Sequence, residues 1–82
     1  MYDAKWRTPV AIDLPHPHGR QVITTVREAA DCLMDIWPEP DHNPERDDAL
    51  RICLEVFEGN ASPDDARDAF LAAARSAGLS TS

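Results

Sequence analysis

The stretch from Pro44 to Glu58 is the sequence feature that most constrains the fold. On a helical wheel, one of its faces is apolar and contains Leu50, Cys53, Leu54 and Phe57. Ile52 and Val56 fall outside that face, and Ala49 bridges the gap. A surface helix usually buries an apolar stripe of roughly 100° or slightly more, and this stretch presents a much wider arc. The pattern therefore predicts a helix over 44–58 that is covered on two sides, by other elements or by a second copy of the chain.

Length and charge limit the class of protein. The chain has 82 residues, enough for one domain with one small core. Its formal net charge is −7, which argues against nucleic-acid binding because that depends largely on Lys and Arg. No apolar run reaches the roughly 20 residues of a membrane span, and residues 1–6 lack the apolar core of a signal peptide. We therefore expect a soluble, acidic, cytoplasmic protein that binds neither nucleic acid nor membrane.

The first third of the chain predicts a β-hairpin over 9–24. Residues 1–8 are interpreted as a leader anchored by Trp6. Apolar residues then alternate with other residues from Pro9 to Leu14, the pattern of a half-buried strand. Pro15–Gly19 has the composition of a turn, and residues 20–24 form the returning strand. Because an isolated hairpin is marginally stable in water, its apolar side should pack on helices.

Three helices are predicted to follow. Thr25 and Glu28 have the spacing of a capping box, which starts a helix over 25–37 that stops before Pro38. Asn43 is a suitable N-cap for the middle helix over 44–58, which ends at Gly59.

The third helix is predicted over 62–77 and ends at Gly78, with Leu79 folding back toward Ala74. Residues 80–82 are predicted to be a frayed tail. We therefore predict a single α+β domain in which an N-terminal β-hairpin packs on three α-helices, with the middle helix central.

Few residue types suited to chemistry occur in this sequence. His16 and His18 in the turn, and His42 before the middle helix, are weak candidates for metal ligands. Cys32 and Cys53 lie in mid-helix among apolar residues, where reduced thiols pack as small hydrophobic groups. Motifs of phosphate loops, nucleophile elbows and zinc proteases are absent from the sequence. We therefore expect no catalytic residue, no cofactor and no bound metal.

Several short segments occur in a characteristic order over residues 6–79. They are Trp6-x-x-Pro9-Val10, Val22-x-Thr24-x-x-x-Glu28-Ala29-Ala30-x-x-Leu33, Trp37-Pro38, Ala49-x-x-x-Cys53 and Ala66-Arg67-x-Ala69-Phe70-x-x-Ala73-x-x-x-Ala77-Gly78. Together they resemble the domain of unknown function 982 family. The resemblance implies a small single-domain protein of rhizobia and related alphaproteobacteria. It implies no activity, cofactor or catalytic residue, because none is assigned to that family.

The chain has many large apolar residues for so small a domain, which favours an interaction function. Candidate partner contacts are the large apolar residues Trp6, Trp37, Ile52, Val56 and Leu71. We predict a non-enzymatic interaction module for an unknown protein partner, working as a monomer or as a homodimer. The alternative is a small-ligand or metal-binding module that uses the loop histidines and the region of Trp6 and Trp37.

Overall fold

The structure is a computed structural model that describes residues 5–38 and 44–81. An antiparallel two-stranded hairpin comes first and three helices follow, which confirms the predicted α+β class. The elements are β1 (Lys5–Leu14), β2 (Gly19–Thr25), α1 (Val26–Asp31) with a π-helix (Cys32–Ile36) continuing from it, α2 (Pro44–Phe57) and α3 (Pro63–Ser76). Within these residues, every helix is too short or too polar to cross a lipid bilayer.

The hairpin is longer than the sequence pattern predicts. β1 begins at Lys5, which pairs with Thr25, so residues 5–8 of the predicted leader lie within the strand. Trp6 is only 5% exposed, and its burial accounts for the early start of the strand. Further along, Val10 lies opposite Ile23 and forms the core-facing side of the hairpin.

The two outer edges of the hairpin differ. On β1, Asp13 donates its backbone N–H to the carbonyl of Ser80 at 3.0 Å, and Ile12 forms a bridge with Thr81. The chain end predicted as a frayed tail over 80–82 thus pairs with β1 at Ser80 and Thr81. An unpaired strand edge offers a row of backbone donors and acceptors, and these two residues cover part of that row.

The helix ends follow the sequence signals closely. The Thr25 hydroxyl accepts the N–H of Glu28 at 3.1 Å, and Ser62 and Asp65 form a complete capping box at the start of α3. At the end of α3, Leu79 donates its N–H to Ala74 at 2.9 Å, which confirms the predicted fold-back. The predicted cap Asn43 lies outside the described residues.

α2 packs on the other helical segments. The hairpin packs chiefly on α1 and α3, while α2 packs on α3, α1 and the π-helix. α2 is therefore covered mainly by helices and has few contacts with the hairpin. It buries a single narrow stripe of Ala49, Cys53 and Val56. The rest of its apolar arc is only partly covered, with Leu54 51% and Phe57 39% exposed.

The core is built around Phe70 on α3, which is fully buried. Its ring lies 5.9 Å from that of Trp6 and 5.7 Å from that of Trp37, measured between ring centroids. Alanines on the same helix lie close to the neighbouring elements, and Ala66, Ala73 and Ala74 are fully buried. Small side chains here let α3 approach both the hairpin and α2, as its alanine-rich face predicts.

Candidate functional site

The outer edge of β2 is open at Val22. The N–H of Asp13 points away from β2 toward Ser80, so Asp13 and its partner Arg20 form a non-hydrogen-bonded pair. Such pairs alternate along antiparallel strands, which makes Ala11 and Val22 the next pair of the same kind. The N–H and C=O of Val22 therefore point away from β1. Among the described residues, no backbone group pairs with them.

A groove runs beside this edge, which we call the β2-edge groove. Its strand side is formed by Gln21, Val22 and Ile23, and its helix side by Glu28, Asp31, Cys32, Asp35 and Ile36. The helix-side residues are spaced as one face of a helix. The volume of the groove is about 270 Å³, slightly below the range of roughly 300–1,000 Å³ typical of small-molecule sites. Its size suits a few side chains of an extended peptide.

The direction of α1 sets how the groove is lined. Glu28 contacts Thr24 at one end of β2, and Asp35 lies beside the hairpin turn at the other. The helix therefore runs back along β2, and its acidic face follows the strand. A π-helix carries the second half of this wall, and π-helical turns are frequent at functional sites.

Charge in the β2-edge groove is negative. Three carboxylates line it, and none of its described lining residues is Lys or Arg. Glu28 is held in place because its Oε1 accepts the N–H of Thr24 at 2.7 Å and the Thr24 hydroxyl at 2.8 Å. The pKa of Glu28 is lowered, first by the backbone hydrogen bond from Thr24 and then by the bond from its hydroxyl. Asp31 and Asp35 are exposed to solvent.

A second depression, the turn pocket, adjoins the groove. Asp35 and Ile36 line both. The turn pocket has a volume of about 300 Å³, and its other lining residues are Pro15, His16, Pro17, His18, Trp37 and Pro38. The structure thus brings His16 and His18 together with Trp37. Trp6 does not line this pocket, and it contacts Phe70 in the core.

Metal and thiol chemistry find little support at these positions. Within the described residues, no group of three His, Cys, Asp or Glu side chains is arranged to hold a metal ion, and His42 lies outside them. Both cysteines are buried free thiols. Burial raises the pKa of Cys32 and of Cys53 to about 11, so neither is activated as a nucleophile.

A third groove lies between α2 and α3, with Ile52 and Ala69 among its lining residues. Its volume is about 530 Å³. Arg51 lines it from α2 and forms two ion pairs at 2.7 Å, with Asp48 and with Glu55. Because the cation is already engaged by two carboxylates of its own helix, this groove offers less free charge than the β2-edge groove.

The candidate partner contacts predicted from the sequence are dispersed through the structure. Trp6 and Val56 are buried in the core, at 5% and 2% exposed. Trp37, Ile52 and Leu71 are partly buried against it. These five residues do not form one surface, since most of their apolar area stabilises the domain itself.

The candidate site residues predicted from the sequence do not include three residues of the β2-edge groove, Val22, Asp31 and Asp35. The spacing of Asp31 and Asp35 as neighbours on one helical face is visible in the sequence. This face lies beside an open strand edge because of the way α1 packs on the hairpin. The periodicity of the sequence does not determine that packing.

One family model matches the chain. It is described as Protein of unknown function (DUF982), and it covers residues 8–81. No curated protein and no solved structure matches the chain.

Proposed function

This chain belongs to the DUF982 family, and we propose that it is a non-enzymatic, cytoplasmic interaction module that binds a partner protein at the outer edge of β2. The observation that carries the proposal is the contrast between the two edges of the hairpin. Ser80 and Thr81 cover part of the β1 edge, whereas the β2 edge is open at Val22 beside a groove.

Strand addition is an established mode of peptide recognition, in which main-chain hydrogen bonds supply affinity and side-chain pockets supply specificity. The β2 edge has both features. Val22 offers one donor and one acceptor, and its side chain is 57% exposed. An enzymatic role has less support, because burial raises the pKa of both thiols to about 11 and leaves them unactivated.

The test compares two substitutions at one position. Val22→Pro removes the outward N–H, and proline is tolerated on strand edges whose N–H faces away from the sheet. Val22→Ala keeps the N–H and serves as the matched control. Tagged proteins are used to capture binding partners from cells that express the natural protein, after circular dichroism has shown that all three are folded.

A partner retained by the wild-type protein and by Val22→Ala, and lost with Val22→Pro, is the expected result. The same set of partners on all three proteins would contradict binding at this edge.

Self-association is a second candidate, favoured by the exposed apolar residues of α2. Leu54 and Phe57 lie at i and i+3 on the helix and are 51% and 39% exposed. A homodimer formed through Leu54 and Phe57 would sediment as a species of twice the 9.1 kDa chain mass. Leu54→Asp would return it to the monomer. A 9.1 kDa species at every micromolar concentration would exclude the dimer.

A further inference from the structure

We propose that the β2 edge binds an extended segment whose core pattern is basic–apolar–basic, added to the hairpin as a third strand. This inference rests on the proposed function and names the chemistry of its partner. The backbone direction of Val22, the charge of the neighbouring helix wall and the spacing of its carboxylates carry it together.

Backbone geometry fixes the register. Because the N–H and C=O of Val22 both point outward, a partner residue opposite Val22 exchanges two hydrogen bonds with it. Residues directly opposite share one face of a sheet. The side chain of that partner residue therefore lies beside the side chain of Val22, which is 57% exposed on the solvent face. A β-branched apolar residue suits this position, since such cross-strand pairs stabilise sheets.

The residues on either side of that central residue face the opposite way, toward α1. There they meet the exposed side chains of Asp31 and Asp35. Asp31 and Asp35 lie about one helical turn apart on the wall of the groove, across the π-helical segment, and alternate residues of a strand are about 6.6 Å apart. Each carboxylate is thus placed to pair with one of two alternate residues of an added strand.

The negative charge of the groove determines that the inward-facing residues of the partner are basic. Among the described residues, no ion pair engages Asp31 or Asp35. The nearest cation on the strand, Arg20, lies on the opposite face of the hairpin, where it is paired with Asp13 at 3.2 Å. On α1, Arg27 lies one turn before Asp31 but is not among the described residues that line the groove. Lys or Arg at the two inward positions of the partner therefore meets a negatively charged wall.

A second copy of this chain fits the edge less well. Twofold pairing of β2 with itself would bring the Asp31 and Asp35 of one copy toward those of the other. Like charges across such an interface destabilise it, and the chain already carries a net charge of −7. The complementary occupant is a basic segment of another protein.

The test is a titration of the isotope-labelled full chain with short capped peptides, followed by NMR. The first probe carries Arg-Val-Arg between threonines, and the charge-reversed control carries Glu-Val-Glu in the same frame. Two further probes are Arg-Val-Arg peptides with a single N-methyl group. One has it on the valine, whose N–H should bond to Val22, and the other on the following arginine, whose N–H should point to solvent.

We expect Arg-Val-Arg to bind and to shift the amide signal of Val22, with Glu-Val-Glu at least about tenfold weaker. Methylation of the valine should abolish binding, and methylation of the arginine should change the Kd by less than about twofold. The double variant Asp31→Asn, Asp35→Asn should weaken binding by roughly fivefold to tenfold, the sum of two exposed ion pairs.

Equal affinity for Arg-Val-Arg and Glu-Val-Glu would overturn the charge assignment. Equal affinity of the two methylated peptides would overturn strand addition at Val22. If no peptide binds while Val22→Pro still loses a captured partner, the basic pattern is wrong and the proposed function stands. If capture is also unaffected by Val22→Pro, the proposed function fails as well.

Discussion

Phe70 is the residue on which most of the core converges. It is fully buried, and the rings of Trp6 and Trp37 contact it from two sides. Trp6 and Trp37, which the sequence predicts as partner contacts, thus pack on Phe70. Both indole Nε1 atoms are buried without a hydrogen-bond partner among the described residues, so their contribution comes from apolar packing.

Truncation of this residue should be among the most damaging single changes. Phe70→Ala removes a fully buried ring and should cost roughly 3–5 kcal/mol of the free energy of unfolding. The matched control is Phe57→Ala, since Phe57 is 39% exposed and should cost roughly 1–2 kcal/mol. Urea denaturation followed by circular dichroism measures both. Equal losses for the two variants would contradict the described core.

The buried thiols predict how stability depends on pH. Burial raises the pKa of Cys32 and Cys53 to about 11, above the value of 9.0 for a free thiol. The unfolded chain therefore loses these protons first as the pH rises. Stability from the thiols is full below pH 9 and is lost between about pH 9 and 11, by about 2 kcal/mol per thiol.

The measurement is the free energy of unfolding at pH 8 and at pH 10.5, for the wild-type protein and for Cys32→Ala, Cys53→Ala. The double variant should show a smaller decrease, because it lacks the two titrating groups. The same decrease in both proteins would show that other groups dominate in this range.

At the scale of elements, α2 shows what periodicity reports and what it does not. The helix occurs where the pattern predicts it, at Pro44–Phe57. Its wide apolar arc predicts cover on two sides, yet only the stripe of Ala49, Cys53 and Val56 is fully buried. Periodicity reports the width of an apolar face, whereas the cover of that face depends on tertiary packing. Here the neighbouring helices leave Leu54 51% and Phe57 39% exposed.

Helix starts were predictable because capping is local. Ser62 and Asp65 exchange hydrogen bonds at 3.1 and 3.2 Å, as their spacing in the sequence indicates. Ser62→Ala should therefore destabilise the domain by about 1 kcal/mol. Ser80→Ala is the control, because the described contact of Ser80 is made by its backbone carbonyl. Thermal unfolding compares the two, and an equal effect on Tm would argue against the cap.

At the scale of the whole molecule, the candidate site exists because Ser80 and Thr81 pair with β1 and not with β2. The hairpin and the acidic face of α1 were visible in the sequence. The pairing of Ser80 and Thr81 with β1 joins residues far apart in the chain, and no local pattern announces it. That pairing covers part of the β1 edge and leaves Val22 open on the other edge. The sequence predicts an interaction function, and the partner-contact residues that it indicates are dispersed through the fold.

The proposed function requires that the β2 edge is open at Val22 in the free protein. Amide hydrogen exchange at Val22, compared with that at Gln21 and Ile23, measures this. The amides of Gln21 and Ile23 face β1 and should be protected, while that of Val22 should exchange at a rate close to that of an unstructured peptide. Protection of Val22 equal to that of Ile23 in the free monomer would show that the edge is already covered and would rule out the proposed binding site.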